Sequence, residues 1–321
     1  MIEVKHLTKL YGSHLAVDDL SFTVEEGQVY GFLGPNGAGK STTMNMMTGY
    51  LAISAGDVIV NGHSIITEPE EAKRTIGYLP EIPPLYMDMT VREYLTFAAR
   101  LKKVPRREIK TAVAAAMEEL DLTSEQNRLI RNLSKGYRQR TGFAQALLGD
   151  PETLILDEPT VGLDPKQIIE IRSLIKKLGK KHTVILSSHI LSEVSEICDT
   201  VLIMSEGRLV ACDTPARLAE RRDAVTTVTV ESPETESVLR KALEKAVGRE
   251  NLSFSPAEEG LLRCVVTMKA SAGEEAADPR RHITRILKEA GCDYYSVEVA
   301  RASLEEIFLS LTETEGEGGD E

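Results

Sequence analysis

Residues 34–41 read Gly34-Pro35-Asn36-Gly37-Ala38-Gly39-Lys40-Ser41. The stretch fits the pattern G-x-x-x-x-G-K-[ST]. Gly34, Gly37 and Gly39 let the backbone fold tightly and turn a row of N–H groups toward one point. A phosphate chain fits that point, and the N-terminus of a following helix adds the positive end of its dipole. Lys40 is placed to reach the β- and γ-phosphates, and Ser41 to ligate Mg²⁺. The apolar run Val29-Tyr30-Gly31-Phe32-Leu33 just ahead reads as a buried strand. Thr42 to Gly49 reads as a helix with Gly49 near its C-cap.

Downstream, Leu154-Ile155-Leu156-Asp157-Glu158 ends an apolar strand in two adjacent carboxylates. Asp157 suits Mg²⁺, usually through water, and Glu158 is placed to polarise an attacking water as general base. Around this strand the chain alternates. Strands are expected over Thr153–Leu156 and Thr183–Leu186, with the helix Lys166–Leu178 between them, ended by Gly179. Such alternation implies a largely parallel sheet covered on both faces. A strand pair, Ile2–Leu7 and Leu20–Val24, is expected around a turn containing Tyr11-Gly12. Residues 82–150 read as mostly helical, with helices over Glu108–Leu120 and from Ser134 to Leu148, the latter stopped by Asp150-Pro151.

At 321 residues the chain is long enough for two domains. No apolar run approaches ~18 residues, so no membrane span is expected. The start, M-I-E-V-K-H-L-T-K, lacks an apolar signal core, which implies a cytoplasmic location. Cys198, Cys212, Cys264 and Cys292 show no C-x-x-C pairing and read as reduced, partly buried thiols. Net charge is −12, without a basic run interleaved with aromatics, so nucleic acid is not an expected partner. There is no internal repeat. Residues 221–321 carry −8 of the net charge, and the composition break near Arg221-Arg222-Asp223 marks a domain boundary between 1–220 and 221–312.

In the second part, Ala224–Glu231 alternates as a strand and Glu236–Val247 is a helix closed by Gly248. Leu261–Met268 is a strand with a hairpin partner around Leu252–Phe254. Pro279–Ala290 is a helix closed by Gly291, and Tyr294–Val299 is a strand. The order β-α-β-β-α-β implies a small α+β, ferredoxin-like module. Ser303 is expected to cap a final helix with Glu306 as its capping-box partner. The loop Ala270–Asp278 reads as solvated surface, and residues 313–321 as a disordered acidic tail.

Taken together, residues 1–220 resemble the nucleotide-binding subunit of an ATP-binding cassette (ABC) transporter, with motifs in that family's order. Leu133-Ser134-Lys135-Gly136-Tyr137 stands at the signature-motif position. Val161-Gly162-Leu163-Asp164 matches the D-loop after the acidic strand. His189 matches the switch histidine and Tyr11 the aromatic that stacks on adenine. The resemblance implies a P-loop ABC ATPase cassette with a helical subdomain at about 82–150. ATP would lie against Tyr11, Gly34, Asn36, Gly37, Ala38, Gly39, Lys40, Ser41 and Thr42. Glu158 and His189 would be catalytic. Ser41, Glu81 and Asp157 would face Mg²⁺.

Two departures from the family pattern are visible. Lys135 and Tyr137 replace Gly and Gln of the usual Leu-Ser-Gly-Gly-Gln. Glu81, in Ile76-Gly77-Tyr78-Leu79-Pro80-Glu81, stands where Gln is usual. Both variants resemble the branch serving exporters of drugs, ions, polysaccharides and gliding-motility factors. The family also implies two cassettes, expected as a homodimer, with ATP sandwiched between them. Ser134, Lys135, Gly136 and the signature helix dipole would act from the second cassette. A separate integral membrane permease is the implied partner, which would place the chain peripherally on the inner face of the cell membrane. The apolar stretch Ile82-Pro83-Pro84-Leu85-Tyr86-Met87 is the expected docking patch. The alternative class is a soluble ABC-type ATPase of translation or DNA maintenance. Against it stand the single P-loop and the absence of sustained heptads. The C-terminal module is expected to serve dimerisation or regulation, with binding of a small ligand or a purely stabilising role as the alternatives.

Overall fold

A computed structural model describes residues 1–219, 226–257, 261–268 and 278–300. The chain divides into two compact units, Met1–Thr214 and Pro215–Glu321, so the break falls a few residues ahead of Arg221.

The first unit opens with the strands β1 (Ile2–Tyr11) and β2 (His14–Val24), an antiparallel hairpin longer than its apolar alternation predicts. The strand β3 (Val29–Leu33) is buried throughout, and the helix α1 (Lys40–Met47) follows it. Strands β4 (Ala55–Val60) and β5 (His63–Ser64) complete a four-stranded sheet in the order β2-β1-β4-β5. The helix α2 (Pro69–Arg74) starts with proline at its first position, where the missing N–H costs no ladder bond. It leads to β6 (Ile76–Leu79).

The expected helical stretch holds α3 (Val91–Leu101), α4 (Ile109–Glu119) and α5 (Lys135–Leu147). Thr90 caps α3 through a capping box with Glu93, which fixes its start ten residues after Glu81. The apolar stretch Ile82–Met87 is therefore non-helical. Next come β7 (Thr153–Leu156), α6 (Pro165–Leu178), β8 (Thr183–Ser188), α7 (Leu191–Ile197), β9 (Thr200–Ser205) and β10 (Arg208–Asp213).

The central sheet has six strands in the order β10-β9-β3-β8-β7-β6. All neighbouring pairs are parallel except β10 with β9. β3, β7 and β8 are buried along their whole length, as near-continuous apolar runs in a sheet covered on both faces must be. The order brings the C-terminal ends of β3, β8, β7 and β6 side by side. Segments far apart in sequence thus meet along one edge, where ligands bind in open α/β sheets.

The second unit contains α8 (Pro215–Ala219), β11 (Thr226–Ser232), α9 (Glu236–Val247), β12 (Leu252–Pro256), β13 (Leu262–Met268), α10 (Pro279–Glu289) and β14 (Ser296–Ala300). Its antiparallel sheet runs β12-β13-β11-β14. Alternate residues, Val228, Val230, Cys264 and Val266, are buried with Leu239, Leu243, Ile283 and Leu287 of the two longer helices. This is the ferredoxin-like arrangement the element order implies. The Ser303 cap, residues 313–321, the start of the Ala224 strand and most of the loop Ala270–Asp278 lie outside the described residues.

Candidate active site

The glycine loop joins β3 to α1. The helix begins at Lys40, two residues earlier than its sequence suggests, because Gly39 serves as N-cap with φ +95. That conformation excludes a side chain on steric grounds, and a Cβ there would stand 2.7 Å from the Ala16 carbonyl oxygen. At Gly34 the limit is space: a Cβ would lie 2.6 Å from the Met204 carbonyl oxygen. The helix ladder starts with the Thr43 N–H donating to Gly39 at 2.9 Å. The N–H groups of Lys40, Ser41 and Thr42 therefore lie ahead of the ladder, available to an anion. Past the C-terminal end, Gly49 takes φ +63, as its place beyond the C-cap Thr48 requires.

The Lys40 ammonium is buried and donates to the carbonyls of Gly34 (2.7 Å) and Pro35 (3.1 Å). Burial lowers its pKa, while Glu158 and Asp157 pull the other way. Asp157 is buried at the end of β7. It accepts from the Ser41 hydroxyl at 3.0 Å and the Ser187 hydroxyl at 2.6 Å. The Ser187 hydroxyl in turn accepts from the Glu158 N–H at 2.8 Å. Glu158 sits at φ +46, a left-handed conformation that costs a non-glycine residue on the order of 1 kcal/mol. The neighbouring hydrogen bonds hold it there.

The His189 Nδ1–H donates to the Glu158 carboxylate at 3.0 and 3.1 Å, which fixes the tautomer and leaves Nε2 as the other ring nitrogen. Sequence reasoning did not reach Ser187. Its signal is a polar residue closing the apolar strand Thr183–Ser188, across the sheet from the end of β7.

Lys40, Ser41, Glu158 and His189 line a cleft of about 470 Å³ that also includes Tyr11, Asn36, Gly37, Ala38, Gly39, Thr42 and Glu81. Tyr11 is half exposed at the end of β1, with the Lys9 ammonium 5.1 Å from its ring centre. Glu81, on the loop after β6, is exposed and lines the cleft without a side-chain partner among the described residues. The donor set fits Mg²⁺: a hydroxyl and a carboxylate hydrogen-bonded to each other beside a phosphate cradle, with a further carboxylate at the rim. No group of three or more His, Cys, Asp or Glu among the described residues is placed to hold a metal ion. Ser41 and Asp157 would hold such a cation from the protein side.

The signature residues stand apart from this cleft. Ser134 is the N-cap of α5 and accepts from the Tyr137 N–H at 3.4 Å. Gly136 packs against the Gln167 side chain, which a Cβ would meet at 2.7 Å. Asp164 caps α6, accepting from the Gln167 N–H at 2.9 Å. Ser134, Gly136 and Asp164 line a separate groove, and none of Ser134, Lys135, Gly136 and Asp164 lines the phosphate cleft of the same chain.

A glycine loop on β3, an acidic end on β7 and a histidine after β8, in one parallel sheet with a helical insert, define a P-loop ATPase cassette. A family model described as ABC transporter matches residues 17–161. The chain is 34% identical to the bacitracin transport ATP-binding protein BcrA of Bacillus licheniformis, over 97% of each chain. It is 32% identical to the linearmycin resistance ATP-binding protein LnrL of Bacillus subtilis (strain 168), over 97% of this chain and 98% of that one. A solved ATP-binding subunit of an ABC transporter superposes with TM-score 0.63 and 31% identity, covering 69% of this chain and 92% of that one. The chain belongs to the ABC transporter family as an ATP-binding subunit: an ABC ATPase fold with a helical subdomain, followed by a C-terminal α+β domain. ATP hydrolysis coupled to transport is the activity this membership assigns.

Proposed function

We propose that this chain is the ATPase of an exporter. In this reading two cassettes close on two ATP molecules and drive a separate membrane permease from the cytoplasmic face. The observation that carries the reading is the split of the site. Lys40, Ser41, Glu158 and His189 line one cleft, with Asp157 hydrogen-bonded to Ser41 beside it, whereas Ser134 and Gly136 lie on another surface. A second cassette would bring its own Ser134 hydroxyl and the N-terminus of α5 to the outer face of the γ-phosphate. Lys40 and the N–H groups opening α1 would bind the phosphates. Tyr11 would stack on adenine. The Glu158 carboxylate, oriented by His189, would take the proton of the attacking water. Full-length similarity to proteins named for bacitracin transport and linearmycin resistance supports the export direction.

The permease contact is assigned to the segment after Glu81. Ile82 is 81% exposed, and Tyr86, 52% exposed, rests edge-on against Tyr94. Among the described residues no helix is long and apolar enough to cross a membrane, so the transport path would lie in the partner. The C-terminal module would serve dimerisation or regulation.

Glu158→Gln keeps shape and loses the charge, so it should bind ATP yet cleave it at least a hundredfold more slowly. Size-exclusion chromatography with ATP should then show a dimer that the wild type only visits. Pull-down of membrane partners should weaken with Ile82→Asp plus Tyr86→Asp. A Glu158→Gln chain that stays monomeric and hydrolyses at the wild-type rate overturns the reading.

A further inference from the structure

Glu193 is the least exposed carboxylate near the cleft, at 2%, and it is not among the residues that line it. It lies in the first turn of α7. Its Oε2 accepts from the Thr160 hydroxyl at 2.7 Å and from the Ser188 hydroxyl at 3.3 Å. Its Oε1 stands 3.2 Å from the Arg172 guanidinium, which also pairs with Glu196 at 2.9 Å. A carboxylate so buried is tolerable only with such compensation.

The two hydroxyls belong to the two turns on which the cleft depends. Thr160 is two residues beyond Glu158, in the turn closed by the Val161 N–H donating to the Glu158 carbonyl at 3.2 Å. Ser188 immediately precedes His189, and its hydroxyl accepts from the N–H of Ile190, which follows His189, at 3.0 Å. One carboxylate oxygen thus holds the turn after Glu158 and the loop bearing His189. The direct contact between those side chains is the His189–Glu158 hydrogen bond. Glu158 in its left-handed conformation needs an outside constraint, and this network supplies one.

We propose that Glu193 is a positioning residue for ATP cleavage, clamping the Glu158 turn to the His189 loop through Thr160 and Ser188. The proposal rests on the reading of Glu158 and His189 given above. It differs from a packing role, in which the Arg172–Glu193 pair merely ties α6 to α7. In that case the hydroxyls would be dispensable.

The test uses the full chain and leaves the Arg172–Glu193 pair intact. Thr160→Val removes one hydroxyl at nearly constant volume, and Thr160→Ser restores it. Two readouts are taken: amide hydrogen exchange of Val161 and Ile190 without nucleotide, and steady-state hydrolysis of MgATP. The clamp predicts roughly tenfold faster exchange at both amides in Thr160→Val. It also predicts a kcat roughly tenfold lower with KM within twofold. Thr160→Ser should return both to within twofold of the wild type. Unchanged kcat in Thr160→Val overturns the proposal, whether or not exchange accelerates. So does loss of kcat that Thr160→Ser fails to rescue. Glu158→Gln is assayed alongside. If it is inactive while Thr160→Val is normal, the clamp alone falls; if it hydrolyses at the wild-type rate, the reading of the cleft falls with it.

Discussion

Lys40 shows how much of the cleft's chemistry one side chain carries. Its ammonium is buried among loop carbonyls, and burial lowers its pKa against the pull of Glu158 and Asp157. A cation held this way is ready for a phosphate chain at little conformational cost. Lys40→Ala should therefore weaken ATP binding at least a hundredfold by titration calorimetry, while the circular dichroism spectrum stays that of the wild type. Equal affinity would end the assignment of the loop. Tyr11, half exposed, can contribute only a stack. Tyr11→Ala should cost on the order of 1 kcal/mol, about a fivefold rise in Kd. The motif residues were legible because their spacing is dictated by the phosphate chain they serve. Ser187 and Glu193 were not, because a hydroxyl or carboxylate that works through other side chains leaves no fixed spacing in the sequence.

At the scale of elements, the periodicity of α4 and α6 and the apolar runs of β3 and β7 announced themselves within one or two residues. The exit of α3 did not. Lys102, the C-cap of α3, donates to the Ala146 carbonyl at 2.8 Å and the Leu148 carbonyl at 3.0 Å, closing the end of α5 from another helix. Such a cap depends on two helices already packed, which local pattern cannot show.

Burial depresses the Lys102 pKa to about 8 from an ordinary 10.5. Below pH 8 the ammonium is protonated folded and unfolded alike, and its burial is a constant penalty. Between pH 8 and 10.5 the unfolded chain binds more protons, so this group's contribution to stability rises with pH. Above 10.5 it levels off. Relative to Lys102→Met, which never carries the charge, the wild type should gain on the order of 2 kcal/mol between pH 7.5 and 10. Urea melts of both proteins at the two pH values check this. A pH-independent difference would show that the carbonyls fully offset the burial.

For the whole molecule, the separation of Ser134 from the cleft of its own chain makes a claim about pairs. Lys40→Ala and Ser134→Arg should each be inactive alone. Mixed, they should recover part of the wild-type rate, since one pairing of an intact loop with an intact signature survives. Wild-type hydrolysis by Ser134→Arg alone would exclude the shared site. The ferredoxin-like order of the second unit was legible from its alternation and its two helices. The order of the central sheet was not. Nothing local in Thr183–Ser188 says that it lies between β3 and β7.

That strand order also sets a timetable for the ribosome. Among the described residues, the strand carrying the glycine loop pairs with β8 and β9 alone. The nearer of these neighbours begins about 150 residues later in the chain, at Thr183. At ordinary translation speeds, roughly 10–30 s pass with an apolar strand emerged and no partner for its backbone. Until β8 arrives, neither β3 nor Ser187 can anchor the acidic end of β7. Nucleotide capture is thus a late event in the life of each new chain, and a nascent polypeptide stalled before Thr183 would hold the whole phosphate motif and no functioning cleft.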